Sequence, residues 1–486
     1  MSESLRTAGE FDLLEATITS MGSGQSVDIK SLTNYFDIIE NVFSTHLYGS
    51  IKVTDATSIL RKLPITGKEL LTIRTKDFFG NEVTDVFFVY AMTEYGLVSE
   101  QDTNLASYTL HFCSREKFIS DTNYVQKAYR NEIHGQVANI YNEFIAANEG
   151  GELNSSAKGF KQLVAQETSN KSTYVIPKYR PDDAIRFLAK RAKSDITPMQ
   201  TYMYWETRDN YYFMTPQGSF ATYASDFDRR IPSYYYNMAY DTAASEQDYM
   251  MSQIMSLNLN AGFDTMGALK NGGYVNTVHE LDFLNRSFIE TIYDHADEIE
   301  NTQNGMMPGN AKTYLRHDTN FVDQYLSSGP VTLVLKDYNS PGVAQESNSP
   351  SGAIRETQYY NELITKNQTN VFNLEENCVN LTVRGAFNLR AGGFINLVIP
   401  EFAVESTTQI YENEFYSGIY MLLAVTHRYE ENNYYADCIA SRAGLGSDPN
   451  QISTRNRRVI DNNLSTYINI GDERLVDGIN IRRGDN

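Results

Sequence analysis

The chain carries only three cysteines, a single tryptophan and far fewer basic than acidic side chains, and it has no long apolar run. Each shortage excludes something. Cys113, Cys378 and Cys438 are scattered and odd in number, with no CxxC spacing, which argues against a disulfide frame and against a zinc site. Cys113 and Cys438 fall inside strand-like runs, where cysteine acts as a small buried hydrophobe. No stretch approaches the roughly 18 apolar residues of a membrane span, so no stable membrane insertion is expected. The opening "MSESLRTAGEFDLLEATITS" has neither a basic start nor an apolar core, so nothing marks it for secretion and folding in a cytoplasm is expected. N-x-S/T triplets such as Asn367 to Thr369 then carry no meaning. Forty-one Lys and Arg against 61 Asp and Glu leave a net charge of -20. That field repels nucleic acid and argues against duplex binding or sequence reading. It suits solubility, and it also suits a wall past which DNA moves without sticking.

What is present points to a multidomain, strand-rich protein. A chain of 486 residues implies roughly three or four domains of about 100 to 200 residues. Its 34 tyrosines and 24 phenylalanines suit pleated, half-buried strands, and tyrosine also suits interfaces. The cluster "SYYYNMAY", Ser233 to Tyr240, fits either role. From Phe11 to Arg115 the runs "EATITS", "GSIKVTDA", "ELLTIRTK", "DVFFVYAMTEYGLV" and "ASYTLHFCSRE" alternate or carry β-branched and aromatic residues between Gly, Asn and Asp. "EIHGQVANIYNEFIAAN" then places Val137, Ile140, Tyr141, Phe144 and Ile145 on one helical face. "IPKYRPDDAIRFLAKRA" predicts a helix opened by Pro181, Asp182 and Asp183, and "TYMYWETRDNYYFMTP" a hairpin turning at Asp209 and Asn210. Strand signals return in "QIMSLNLN" and "YVNTVHELDFLNRSFIETIYD". "DYNSPGVAQESNSPSGA", Asp337 to Ala353, reads as a linker leading into a helix, "RETQYYNELITKNQ".

Two regions repeat each other. "LPITGKELLTI", Leu63 to Ile73, resembles "NLRAGGFINLVI", Asn388 to Ile399, with a glycine turn at Gly67 or Gly392. "YAMTEY" ends at Tyr95 and "LAVTHRY" at Tyr429, with Ala91 and Thr93 matching Ala424 and Thr426. "YTLHFCSR" and "YADCIASR" then align Tyr108 with Tyr435 and Ser114-Arg115 with Ser441-Arg442. The shared order predicts an internal duplication of a small β-barrel. Three such chains present six similar units and can seat on a sixfold structure.

This order of segments, including "GSIKVTDATSILRKLPITGKELLTI", "YTLHFCSREKFISDTNYVQKAY", "YRPDDAIRFLAKRA", "YWETRDNYYFMTP", "LRAGGFINLVIPE" and "YSGIYMLLAVTHRY", resembles the baseplate hub proteins of contractile-tailed phages. These are related to the N-terminal parts of type VI secretion spike proteins. The likeness spans most of residues 11 to 443. It implies an α+β, mainly β fold: a first tube-like antiparallel β-barrel at 1–117, an intermediate α/β domain at 118–230, and a second tube-like barrel at 231–443 with an insertion near 300–370. Residues 444–486 form a C-terminal extension whose contacts would be the spike or another baseplate component. The resemblance further implies a homotrimeric, pseudo-hexameric adaptor between the hexameric tail tube protein and the trimeric central spike protein. It would touch other baseplate proteins in the virion, be assembled in the host bacterial cytoplasm, and form part of a conduit for DNA ejection without specific DNA binding. A hub of a related bacterial contractile injection system is an alternative. A tail tube subunit needs only one barrel, and a spike would show long β-helical repeats.

Some baseplate components digest peptidoglycan, so an enzyme of that kind is the other alternative. None of the seven histidines, His46, His111, His134, His279, His295, His317 and His427, lies in HExxH, and no nucleophile elbow or P-loop occurs. "YDHADEIE" gathers Asp294, His295, Asp297, Glu298 and Glu300, which could bind a cation but reads more simply as a solvated acidic strand end. "RPDD" reads as a helix start. No catalytic, cofactor-binding or metal-binding residue is therefore assigned. The positions singled out are structural: Gly67 and Gly392 at turns, where a Cβ would be penalised, and the strand ends around Ser114 and Ser441.

Overall fold

The computed structural model describes residues 7–99, 102–146, 160–169, 171–194, 201–220, 230–236, 246–260, 265–272, 275–283, 286–294, 329–335, 378–401, 411–413, 416–442 and 467–469, with the single residues Asn367 and Leu374. The linker expected at Asp337 to Ala353, its following helix and most of the barrel insertion lie outside these residues. So do His295, Asp297, Glu298, Glu300 and His317.

The expected α+β, mainly β fold is what the structure has. Strands β1 (Asp12–Ser20), β2 (Ser26–Asp28), β3 (Thr33–Asn41), β4 (Tyr48–Asp55), β5 (Glu69–Lys76), β6 (Glu82–Ser99) and β7 (Asp102–Ser114) are laid side by side in the order β3-β4-β7-β6-β5-β1-β2. Alternation decides which side chains face in: Ala16 and Ile18 of β1, Ile51 and Val53 of β4, Leu71 and Ile73 of β5, and Leu110 and Phe112 of β7 share one buried core. β3 carries no clean alternation, with Phe36, Asp37 and Ile38 all buried, and it is the strand that sequence reading passed over.

A second body follows from mixed elements. β8 (Val125–Glu132) pairs with β10 (Lys171–Tyr179), while β11 (Met203–Glu206) pairs with β12 (Asn210–Met214), which runs parallel to β9 (Gln162–Ala165). Helix α1 (Arg115–Thr122) precedes β8, and α2 (Ile133–Ile140) continues into a π-helical turn, Tyr141–Ile145. The expected apolar face holds, with Val137, Ile140, Tyr141 and Ile145 buried and Phe144 packed at the margin. Helix α3 (Pro181–Ala189) starts at Pro181 with two aspartates in its first turn, as the sequence predicts, and buries Ile185 and Leu188.

The third body is a closed barrel. β13 (Arg230–Tyr236), β14 (Gln253–Asn260), β18 (Cys378–Arg384), β19 (Phe394–Val398), β20 (Gly418–Glu430) and β21 (Asn433–Ser441) pair in the cycle β19-β13-β14-β18-β21-β20 and back to β19. Between them β15 (Val275–Asp282), β16 (Ser287–Asp294) and β17 (Val331–Leu335) form a separate three-stranded sheet, and β22 (Tyr467–Asn469) pairs with the start of β13. Residues 467–469 of the expected extension thus return to this barrel. Ser233, Tyr234 and Tyr235 are buried in β13, so the described part of the tyrosine cluster serves the strand rather than an open surface. The interior is filled by Leu381, Val383, Leu397, Val425, Ala436, Cys438 and their neighbours. A small barrel is packed by its own side chains rather than left as a pore.

The two β bodies share one strand order, although β1 runs antiparallel to β5 where β13 runs parallel to β19. In chain order β1, β3, β4, β5, β6, β7 correspond to β13, β14, β18, β19, β20, β21, and the spatial order is the same in both. Two β-bulges recur at corresponding places: between Thr33 and Tyr35 of β3 and between Ile254 and Ser256 of β14, then between Val89 and Ala91 of β6 and between Leu422 and Ala424 of β20. The bulges correct the sequence alignment. Ala91 does match Ala424, but Phe88 pairs with Cys113 while Met421 pairs with Ser441. The second hairpin strands therefore correspond one residue away from the Ser114–Ser441 match. By the same ladders Leu70 sits opposite Phe88 and Phe394 opposite Met421, so Gly67 and Gly392 are displaced by one as well. A one-residue slip exchanges the two faces of a strand, and alternation alone cannot detect it when both faces are mixed.

The bodies are fused edge to edge. The outer half of β20 pairs antiparallel with β3, from Ala424 opposite Asn41 to Glu430 opposite Tyr35. The tip of the β20–β21 hairpin then meets the start of β1, where Tyr434 N–H donates to Gly9 O at 2.7 Å and Phe11 N–H donates to Asn432 O at 3.1 Å. Tyr429, stacked between Phe36 and Tyr434 at 4.3 and 4.4 Å, belongs to the core of the first body.

Candidate functional site

The chemistry of this chain is concentrated where the β11–β12 hairpin enters the joint between the two β bodies. Its turn, Thr207 to Asn210, is one residue earlier than expected, with Arg208 and Asp209 at the centre. Glu206 ends β11 and Arg208 sits in the turn, and both are buried.

Glu206 faces the first body. One oxygen accepts from Lys161 Nζ at 2.6 Å and the other from Leu47 N–H at 2.8 Å, with His46 Nδ1 3.5 Å away. His46 lies in the turn between β3 and β4, and its Nε2 donates to Asp182 Oδ2 of α3 at 2.5 Å. Its Nδ1 lies 2.8 Å from Tyr211 Oη and 3.4 Å from Ser114 Oγ. Burial opposes a charge on the ring, but Asp182 and Glu206 outweigh it and lift the imidazole to about 9. Burial would also raise Glu206, yet Lys161 and His46 hold its carboxyl down at about 2. This is a desolvated network of two cations and two carboxylates, in which Asp182 Oδ1 is left without a hydrogen-bond partner.

Arg208 faces the seam. Its Nε donates to Asp85 Oδ2 of β6 at 3.0 Å, one terminal nitrogen to the same oxygen at 2.5 Å, and the other to Tyr429 Oη of β20 at 2.8 Å. Its guanidinium lies over the Phe387 ring at 4.9 Å. Glu40 of β3 accepts from the N–H groups of Arg208 and Ala391, both at 2.9 Å, with His427 Nε2 at 3.6 Å. Burial would raise Glu40, but His427 and those two N–H donors lower it, while burial lowers the His427 pKa. One hairpin therefore ties a strand of the first body, a strand of the second and the intermediate body together.

Ser114, His46 and Asp182 line up in the order of a hydrolase triad, in surroundings that disfavour that chemistry. A triad histidine must be neutral to take the serine proton, whereas Asp182 and Glu206 beside His46 favour its charged form. All three side chains are buried as well. Asp182, read from sequence only as a helix start, is both that and the anchor of His46. The two turn glycines do take the left-handed backbone expected, with φ of +82° at Gly67 and +83° at Gly392. A Cβ at Gly392 would sit 2.5 Å from the Trp205 ring, whose Nε1 donates to Ala391 O at 3.0 Å. Ser441 Oγ donates to Leu374 O, so it closes a strand end rather than joining Ser114 in one site. Cys113 and Cys438 are buried and free, with the Cys113 thiol pushed up to about 12 by burial. Among the described residues no group of three His, Cys, Asp or Glu side chains could hold a metal ion, and no helix is long and apolar enough to cross a membrane.

The junction itself was invisible in the sequence. His46, Glu206, Arg208, Asp85 and Glu40 come from four segments, and the only local sign was a charged pair two residues apart in an aromatic-rich hairpin.

No family model and no curated protein matches the chain. Among solved structures, it is similar to a tail protein from Neisseria meningitidis MC58, at 8% identity and a TM-score of 0.48, over 90% of this chain and 98% of that one. It is also similar to the prophage MuSo2 43 kDa tail protein from Shewanella oneidensis, at 8% identity and a TM-score of 0.48, over 88% of this chain and 98% of that one. A component of the Escherichia coli type VI secretion system, described as structurally similar to phage T4 tail proteins gp27 and gp5, aligns at 8% identity and a TM-score of 0.36, over 90% of this chain and 78% of that one. The structural neighbours are thus phage tail and type VI secretion proteins, at a level of likeness that carries no argument about activity.

Proposed function

We propose that the chain is a structural, non-enzymatic hub of a contractile phage tail baseplate, acting as a homotrimeric adaptor between a hexameric tail tube and a trimeric central spike. The observation that carries this reading is the recurrence of one strand order in two β bodies that are joined edge to edge and share two bulges. Three chains would supply six similar barrels to the tube while keeping threefold symmetry for the spike. The assignments that follow are 1–117 and 231–443 as the two tube-like barrels, 118–230 as an intermediate domain, and 444–486 as an extension toward spike or baseplate partners. The charged junction is the rigid core of each subunit and not a reaction centre. Because the second barrel is filled by its own side chains, the DNA conduit would run through the ring of barrels rather than inside one. The acidic balance of the chain, -20 overall, would let DNA pass without adhering. The protein would reside in the virion after assembly in the host cytoplasm.

Light scattering behind size exclusion tests the assembly. The expected species is about threefold the 55.1 kDa chain. A monomer that persists at every concentration and salt level, together with cleavage of peptidoglycan by the purified protein, would overturn the reading in favour of the enzyme.

A further inference from the structure

The chain is acidic as a whole, but its charge is unevenly spread. From Lys171 to Lys193 it carries seven basic side chains and two acidic ones, in a protein of net charge -20. One of the two acids, Asp182, is buried against His46 and adds nothing to the surface. Lys171, Lys178, Arg180, Arg186 and Lys190 are exposed, so the basic excess faces solvent on the intermediate body.

Three elements build its most crowded part. Asp121, near the end of α1, accepts at one oxygen from both Lys117 Nζ at 2.9 Å and Arg180 Nη1 at 2.7 Å. Lys178, near the end of β10, lies over the ring of Tyr124 at 5.4 Å, and Tyr124 stands beside Arg180. Three cations thus gather around one carboxylate, and among the described residues Lys178 has no carboxylate partner. The backbone is bent to make this cluster. β10 shifts register against β8 between Ile176 and Tyr179, and inside that bulge Lys178 takes a φ of +49°. A bulge re-aims a side chain, and a lysine held in the left-handed region is strained. Strain and like charge together cost the free protein stability, and an anion seated among the three cations would offset that cost.

We infer that Lys117, Lys178 and Arg180 form a docking face for an acidic segment of a partner protein. Charge complementarity selects this occupant. Arg180 offers a planar fork to a carboxylate, and the two lysines offer point charges on either side of Tyr124 and Asp121. A nucleic acid fits less well for two reasons. Its backbone would run on from so small a patch over the acidic remainder of the chain. The face of Tyr124 that Lys178 covers is also closed to a stacking base. The inference concerns the intermediate body alone and stands apart from the hub reading.

Fluorescence anisotropy of a labelled octaglutamate peptide with the full chain tests it, at about 50 mM salt so that surface charges are little screened. Saturable binding is expected, and Lys178→Glu should weaken it by about tenfold or more. Lys178→Gly separates docking from a structural role. It should weaken binding about threefold to tenfold, and it should raise the urea midpoint because glycine adopts this backbone conformation without strain. Octaglutamate that fails to bind, or that binds all three proteins alike, would overturn the inference. Tighter binding of an oligothymidylate of equal charge, lost in the same variants, would overturn it in favour of a nucleic acid.

Discussion

His46 makes the sharpest prediction. It is fully buried between Asp182 and Glu206, and its pKa rises from the usual 6.5 to about 9. At about 1.36 kcal/mol per pKa unit, a shift of this size is worth roughly 3 kcal/mol of stability. Because the folded-state pKa is raised, that contribution is complete below the unfolded value near 6.5 and is lost as pH climbs through about 9. His46→Gln keeps a hydrogen-bonding side chain but never carries the charge. Urea unfolding of both proteins, followed by the fluorescence of the single tryptophan, reports on this region because Trp205 adjoins Glu206 in the hairpin. The gap between the two proteins should be largest near pH 6 to 7 and shrink by roughly 2 to 3 kcal/mol by about pH 10. A gap that does not change over that range would refute the argument, since it would mean that His46 contributes packing and hydrogen bonds but no charge.

Two further substitutions probe the seam and the turn. Arg208→Met should destabilise the fold by about 3 to 5 kcal/mol, because it strands the buried carboxylate of Asp85; chemical denaturation would show it, and a loss under about 1 kcal/mol would mean that the arginine is not the clamp. Gly392→Val should impair folding or assembly, because φ there is +83° and the added atoms would enter the Trp205 ring, so a normal yield of assembled protein would count against that geometry.

Much of the architecture was legible in the chain because it is written locally. Alternation marked β1, β4, β5, β6 and β7, Pro181 with its two aspartates marked the start of α3, and the repeated order of strand and turn signals marked a repetition that recurs as one strand order in the two β bodies. Shortage of cysteine and of basic charge bounded the function before any fold was known. The register of the repeat was not legible. Strands with a period of two match equally well after many shifts, and only the ladders around the bulges at Tyr90 and Leu423, where one residue of each strand is skipped, tell which residue corresponds to which. β3 was missed for a related reason: it lies within the sheet where the two bodies join, between β20 and β4, so Asp37 and Glu40 are buried along with Phe36 and Ile38 and no alternation survives. Nor could any local pattern show that His46 meets Asp182, or that Arg208 meets Asp85, because those pairs are separated by 136 and 123 residues. Periodicity, caps and turns depend on neighbours along the chain, so sequence alone determined the elements and their repetition. Buried charge is tolerated only where partners from distant segments converge, so the tertiary structure alone decided which ionisable groups became the clamp at the centre of the molecule.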